Sequence, residues 1–185
     1  QIGIKFNLLL MRETLGRPID VDEKPVIGES PTDYIYRIER AKANEGYKRI
    51  LQRKFPVLPL LVADTIVILD GTILGKPKDI HEAEEMLKAL SGRSHQVLTA
   101  IGLGIKDQIQ IRLTATTVRF RQITEHEIHR YLASNNFLDK AGAYAIQGLA
   151  AVFIVEISGS YSGVMGLPLY ETAQLLEEVG IEIFA

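Results

Sequence analysis

The stretch VADTIVILDGTILGKP, Val62 to Pro77, predicts a strand, a tight turn and a return strand. The run from Leu58 to Leu69 is almost continuously apolar, which is typical of a strand covered on both faces. Asp70-Gly71 is a favoured two-residue hairpin turn, and Thr72 to Leu74 supplies the return strand. The apolar run contains one ionisable residue, Asp64. Because a buried carboxylate is costly without a partner, Asp64 is predicted to form an ion pair or to have a catalytic task.

Lys76 is a candidate partner for Asp64, although ideal hairpin pairing places Lys76 opposite Thr65. Strict alternation along a strand directs Asp64 and Thr65 to opposite faces. Gly75 precedes Lys76 and can break the strand, so that the long side chain swings round. Spacing alone leaves two interpretations open: a structural ion pair, or a catalytic carboxylate beside a phosphate-binding lysine.

The remaining sequence mixes helix and strand signals. N-cap signals or apolar stripes predict helices that begin after Ser30, Asp79 and Thr124, and a last helix over Leu169 to Val179. Further strands are predicted over Gln1–Leu10, His95–Ile105, Ile109–Phe120 and Ala145–Ile157. The Pro- and Gly-containing segment Glu13–Gly28 is predicted to be a loop or a hairpin tip. Long strands joined by short turns favour an α/β class with a mixed, partly antiparallel sheet.

Composition excludes several classes of protein. The chain has 185 residues, of which 46% are hydrophobic and 24% charged, as in an ordinary soluble domain. A net charge of −2 argues against a nucleic-acid-binding role. The absence of cysteine excludes disulfides, zinc-thiolate sites and cysteine nucleophiles. With no apolar run near the roughly 20 residues of a membrane span and no signal peptide, we expect a cytoplasmic protein without a membrane segment.

Two groups of charged or titratable side chains are predicted to face solvent. One is the basic cluster of the first helix, diluted by Glu39 and Glu45: Arg37, Arg40, Lys42, Lys48, Arg49, Arg53 and Lys54. Lys42 differs from the others because it lies next to the apolar stripe, where its ammonium can point into a groove. The second group is His126 and His129, one helical turn apart. Without a third ligand, a solvated face is favoured over a metal site.

Two later segments permit close approach by a ligand. DKAGAYAIQG, Asp139 to Gly148, places Gln147 beside a glycine, and GSYSGVMGLPL, Gly159 to Leu169, is a Gly/Ser-rich turn before a helix. Together with ADTIVILDGTILGKP and AEEMLKALSGRSHQVLTAIGL, these segments resemble the Maf family in order and spacing. That family was first named for septum-formation inhibition and comprises nucleoside triphosphate pyrophosphatases. The resemblance covers nearly the whole chain.

The resemblance implies a fold akin to that of inosine triphosphatase, with two lobes around a substrate cleft and a single domain over residues 1–185. It implies hydrolysis of dTTP or UTP to the monophosphate and pyrophosphate, with a divalent metal, Mg²⁺ or Mn²⁺. The implied role is removal of unwanted or modified pyrimidine nucleotides by a cytoplasmic homodimer, with a link to cell-division arrest. The alternative is a regulatory module that binds nucleotides without cleaving them.

The resemblance also implies roles for six residues: Asp64 as proton acceptor and metal ligand, Thr65 and Gln147 in base specificity, Lys76 and Lys42 in phosphate binding, and Glu23 near the metal. A glutamine suits uracil or thymine because its amide pairs with an imide edge carrying donor and acceptor. The family's Ser-x-Ser-Pro-Arg-Arg loop, whose arginines contact the triphosphate, does not occur in this sequence, which opens QIGIKFNLLL. We expect residues to be missing upstream.

Overall fold

A computed structural model describes residues 2–10, 21–105, 108–134 and 137–184. Its helices and strands confirm the mixed α/β class. In chain order the elements are α1 Pro31–Gln52, β1 Leu60–Leu69, β2 Thr72–Leu74, α2 Ile80–Leu90, β3 Ser94–Ile105, β4 Gln108–Phe120, α3 Glu125–Leu132, β5 Ile154–Ser158, α4 Tyr161–Val164 and α5 Leu169–Glu178. Short 3₁₀ helices cover Ala141–Ala143 and Leu149–Phe153.

The five strands form one sheet in the order β2-β1-β3-β4-β5. The β1–β2 and β4–β5 pairs are antiparallel. The chain divides into two compact units, and β1, β3 and β4 each pass from one unit to the other. The first unit comprises Gln1–Asp64, Ala100–Leu113 and Leu169–Ala185, and the second Thr65–Thr99 and Thr114–Pro168. That residues 1–185 form one domain stays a prediction.

Helix α1 is the main element of the first unit. Ser30 caps it as predicted, because the Ser30 Oγ accepts the Asp33 backbone N–H at 3.1 Å. The prediction of a solvated charged face is wrong for two of its residues, since Glu39 is 0% and Arg49 4% exposed. The Arg49 guanidinium can be buried because it donates a hydrogen bond to the Leu10 carbonyl at 2.8 Å.

The N-terminal predictions of this unit have mixed outcomes. The strand predicted over Gln1–Leu10 is wrong for residues 2–10, which form no regular structure. At their end a side chain of α1 satisfies the Leu10 carbonyl, where a strand would use a neighbouring backbone. Of the predicted loop, residues 13–20 lie outside the described residues, and residues 21–28 are irregular, as predicted.

The predicted hairpin of the second unit is confirmed. Leu69 pairs with Thr72 and Val67 with Leu74, and Asp70 and Gly71 have φ values of 50° and 78°. Positive φ at both central residues is what a type I′ turn requires. Strand β2 ends at Leu74, however, so the expected pairing of Lys76 with Thr65 does not form. The chain leaves the ladder because the Gly75 carbonyl accepts the Gly142 N–H at 3.1 Å.

Beyond the hairpin, α2 and α3 cover the core of this unit, and α3 begins at the predicted Thr124–Glu127 capping box. The strand predicted over Ala145–Ile157 is wrong in its first part, because a 3₁₀ helix precedes β5. Ala150 and Phe153 are buried three residues apart, which matches a 3₁₀ turn and not the alternation of a strand. Among the described helices, none is both long and apolar enough to cross a membrane.

Candidate active site

Asp64 of β1 and Lys42 of α1 form the centre of a charged cluster in the first unit. The Lys42 Nζ lies 2.6 Å from the Asp64 Oδ1 and 2.9 Å from the Glu23 Oε1. The Lys42 and Asp64 side chains are only 18% and 17% exposed. Asp64 thus has a cationic partner, as expected of an ionisable residue in an apolar strand, but the cation that it pairs with is Lys42, whereas the candidate named from spacing was Lys76.

The segment that carries Glu23 is fastened to α1 by hydrogen bonds. The Tyr34 hydroxyl donates to the Glu23 carbonyl at 2.8 Å, and Arg37 donates to the Lys24 carbonyl at 3.1 Å. Arg37 also pairs with Glu29 at 2.6 Å. Because Tyr34 and Arg37 lie in the first turns of the helix that bears Lys42, one rigid element positions both the lysine and a carboxylate that it binds.

The charges of this cluster shift the pKa values of its neighbours. Burial alone would lower the pKa of Lys42, but the Asp64 and Glu23 carboxylates outweigh burial and raise it above its ordinary value. Burial, followed by the negative charges of Asp64 and Glu23, raises the pKa of Tyr34 to about 12. Lys42 is therefore a cation at neutral pH, and Tyr34 is a neutral hydrogen-bond donor.

Glu39 is a further residue of this cluster that sequence reasoning missed. Neither of its carboxyl oxygens makes a well-formed hydrogen bond to a donor among the described residues. Burial and then the Asp64 charge raise its pKa to about 8, while Lys42 and the Gly102 amide act in the opposite direction. Its position was detectable, because Ile35, Glu39 and Lys42 fall on one helical stripe.

Thr65, the next residue of β1, belongs to a chain of hydroxyl groups in the second unit. The Thr65 Oγ1 lies 2.9 Å from the Thr99 Oγ1, and the Thr99 hydroxyl donates to the Gly163 carbonyl at 2.7 Å. Thr99 is 1% exposed, whereas Thr65 is half-buried. No sequence signal pointed to Thr99, because its partners Thr65 and Gly163 are far away along the chain.

The Gly/Ser-rich segment contains Gly163, whose carbonyl ends this hydroxyl chain, and is itself fixed by hydrogen bonds. The Ser160 Oγ accepts the Gly163 N–H at 3.0 Å, and the Ser160 N–H donates to the Thr116 Oγ1 at 3.0 Å. Gly159 has φ +129° and lies so close to β4 that a Cβ there would meet the Thr116 Oγ1 at 2.8 Å. The predicted turn is therefore a fixed structure and not a loose loop.

The other two implied site residues, Gln147 and Lys76, are exposed in the second unit. Gln147 lies in the turn between the two 3₁₀ helices, next to Gly148. Lys76 follows β2, and its charge contributes, after that of Lys140, to lowering the pKa of Asp139. His129 is likewise exposed, with its Nε2 3.2 Å from a Glu84 oxygen, which agrees with the predicted solvated face.

Comparison with known proteins identifies the family. Residues 7–179 match the family described as Maf-like protein. The chain belongs to the Maf-like family. It is 62% identical to a dTTP/UTP pyrophosphatase of Nitrosomonas europaea over 184 residues, covering 100% of this chain and 89% of the relative. It is 54% identical to the dTTP/UTP pyrophosphatase of Nitrosospira multiformis with the same coverage. Identity to that of Aromatoleum aromaticum is 48%, over 97% of this chain and 88% of the relative.

The acidic side chains of this Maf-like protein fit a metal that arrives with a phosphate ligand. Within the described ranges, no group of three or more histidine and acidic side chains is placed to hold a metal ion alone. Asp64 and Glu23 nevertheless point at a common cation, the Lys42 ammonium. Mg²⁺ is commonly bound by one or two carboxylates together with substrate phosphates and water, so two carboxylates suffice.

Proposed function

We propose that this Maf-like protein hydrolyses dTTP and UTP to the monophosphate and pyrophosphate. The observation that carries this proposal is the cluster in which one partly buried ammonium, Lys42, holds the carboxylates of Asp64 and Glu23. The names of the relatives, which match nearly the whole chain, support the choice of substrates.

In this proposal Lys42 binds the triphosphate. An ammonium has three N–H donors, and two of them are used by Asp64 and Glu23, so one remains for a phosphate oxygen. A fixed positive charge stabilises the negative charge that develops on the leaving pyrophosphate. The exposed Lys76 supplies a second cation for the phosphates.

Asp64 is the proposed proton acceptor for the attacking water. A carboxylate in this role must be held in a fixed direction, and the 2.6 Å bond from Lys42 provides that orientation. Asp64 and Glu23 would also hold Mg²⁺ or Mn²⁺. When bound, the metal neutralises phosphate charge and polarises the phosphoryl group.

Thr65 and Gln147 are the proposed base-recognition residues. Their hydroxyl and amide groups can match the donor and acceptor atoms of a uracil or thymine edge. By family resemblance alone, we further propose a cytoplasmic homodimer that removes unwanted pyrimidine nucleotides and is linked to cell-division arrest. Light scattering on the purified protein tests the dimer.

The proposal is tested by measuring pyrophosphate release from a panel of triphosphates with Mg²⁺ or Mn²⁺. We expect release from dTTP and UTP, and a loss of at least about 100-fold in kcat for Asp64→Asn and Lys42→Gln. Lys48→Gln is the matched control, because Lys48 is an exposed lysine of the same helix, 67% exposed. Nucleotide binding without release by the unaltered protein would instead identify the regulatory alternative.

A further inference from the structure

The hydroxyl chain of the second unit has a defined direction. The Gly163 carbonyl can only accept, so the 2.7 Å bond uses the single hydroxyl hydrogen of Thr99. The 2.9 Å bond between Thr65 and Thr99 must then use the hydrogen of Thr65. Thr65 has no hydrogen left to donate, and its oxygen offers only lone pairs to a ligand.

Thr65 lies at the more exposed end of this chain, beside a glycine. Thr65 is half-buried and Thr99 is buried, so both hydroxyl hydrogens are directed away from the more exposed end of the chain. Gly166, with φ +103°, lies beside the Thr65 Oγ1, and a Cβ at Gly166 would come within 3.7 Å of it. The absence of a side chain at Gly166 keeps space beside the acceptor atom.

We propose that Thr99 is a positioning residue that fixes Thr65 as a hydrogen-bond acceptor and thereby selects bases whose edge carries an N–H donor. This inference rests on the proposed function, in which Thr65 contacts the base. Uracil and thymine present an imide N–H, whereas cytosine presents a bare ring nitrogen at the same place. An acceptor facing an acceptor leaves both atoms unpaired, which is a strong basis for rejecting a ligand.

The structure also explains why the direction of the chain is stable. Reversing it would require Thr99 to donate to Thr65 and would leave the buried Gly163 carbonyl without that donor. The Gly163 carbonyl would keep the Gly166 N–H at 2.8 Å but lose the bond from Thr99, and the loss of that hydrogen bond favours the arrangement with Thr65 as acceptor. Thr99→Val keeps the shape of the side chain but removes the hydroxyl, and it therefore releases the hydrogen of Thr65. Thr99→Ser keeps the hydroxyl.

The test is titration calorimetry with dTMP and dCMP, which does not require hydrolysis. We expect the unaltered protein and Thr99→Ser to bind dTMP at least tenfold more tightly than dCMP. In Thr99→Val this ratio is expected to fall at least fivefold, because Thr65 can then donate to cytosine. Thr116→Val is the matched control, because it removes a buried hydroxyl that bonds to the Ser160 backbone and not to Thr65 or Thr99. Its ratio should stay within twofold of the original.

An unchanged ratio in Thr99→Val, or an equal fall in Thr116→Val, would overturn the inference. If Thr99→Val does not fold, Thr65→Val takes its place. Its affinity for dTMP should fall at least fivefold while that for dCMP stays within twofold, and an equal loss for both would contradict us. Base preference without pyrophosphate release would reject the proposed function alone. Release without base preference, or binding of neither nucleotide, would reject the inference.

Discussion

Replacing the buried Glu39 by glutamine should stabilise the protein increasingly as the pH rises. In the folded protein the pKa of Glu39 is about 8, against an ordinary value of 4.5. The unfolded chain therefore releases this proton at a lower pH than the folded one does. The associated stability is fully present below pH 4.5, declines as the pH rises toward 8, and is constant above that.

The size of the effect follows from the two pKa values. Each pH unit between them costs about 1.4 kcal/mol. At pH 7, which is 2.5 units above 4.5, the cost is about 3 kcal/mol. No discount for solvent screening is needed, because Glu39 is 0% exposed. Glutamine has nearly the same shape and no proton to lose, so Glu39→Gln escapes this cost.

The assay is urea unfolding of the original protein and Glu39→Gln at pH 5, 7 and 9. The difference in the free energy of unfolding should grow in favour of the variant from pH 5 to pH 8 and then level off. Glu85→Gln, at an exposed position of α2, is the control and should show no such growth. A difference that is the same at pH 5 and pH 9 would refute the assignment of a protonated, buried Glu39.

Three other expectations follow from the structure. The His95 Nε2 is hydrogen-bonded to the Tyr144 hydroxyl at 2.7 Å, and burial lowers the pKa of His95 from 6.5 to about 4. The free energy of unfolding should therefore fall by about 3 kcal/mol as the pH drops from 6.5 to 4. Urea unfolding of His95→Asn over the same pH range should lack that fall. Gly104→Ala should lower the free energy of unfolding by about 1–3 kcal/mol in a thermal melt, because the new Cβ would lie 2.6 Å from the Gln108 carbonyl oxygen. Gly75→Ala is the control and should change it little, since a Cβ there meets nothing within 4 Å. Chelation by EDTA should abolish pyrophosphate release and added Mg²⁺ or Mn²⁺ should restore it; activity that survives complete chelation would contradict the metal proposal.

Local signals allowed the elements around the candidate site to be predicted. The Asp70-Gly71 turn and the Ser30 and Thr124 caps depend on residues within a few positions of one another, and all three have the expected geometry. The strand predicted from Ala145 was wrong in its first part because a short apolar run in a sequence is compatible with both a buried strand and a helical turn. Only the observed burial of Ala150 and Phe153, three residues apart, distinguishes the two.

Burial of polar groups could not be predicted in the same way, because it depends on partners distant in sequence. The buried Arg49 donates to the Leu10 carbonyl, and the buried Thr99 donates to the Gly163 carbonyl. Asp64 was singled out correctly as an ionisable group in an apolar strand, but its partner Lys42 lies 22 positions away on a helix. Helical periodicity placed Lys42 beside the apolar stripe without showing which carboxylate it meets.

The register of β1 matters for chemistry because the two implied functional residues of this strand are adjacent. Asp64 and Thr65 must point to opposite faces, so a slip of one position would exchange the carboxylate for the hydroxyl. The pairing of Val67 with Leu74 and of Leu69 with Thr72 sets the register of β2 against β1, and it depends on positive φ at Asp70 and Gly71. A non-glycine residue at φ 50° is strained unless its side chain is short and polar, as that of aspartate is. The Asp-Gly turn therefore fixes how β2 pairs with β1, while the contacts of Asp64 with Lys42 and of Thr65 with Thr99 depend on how α1 and β3 pack against β1.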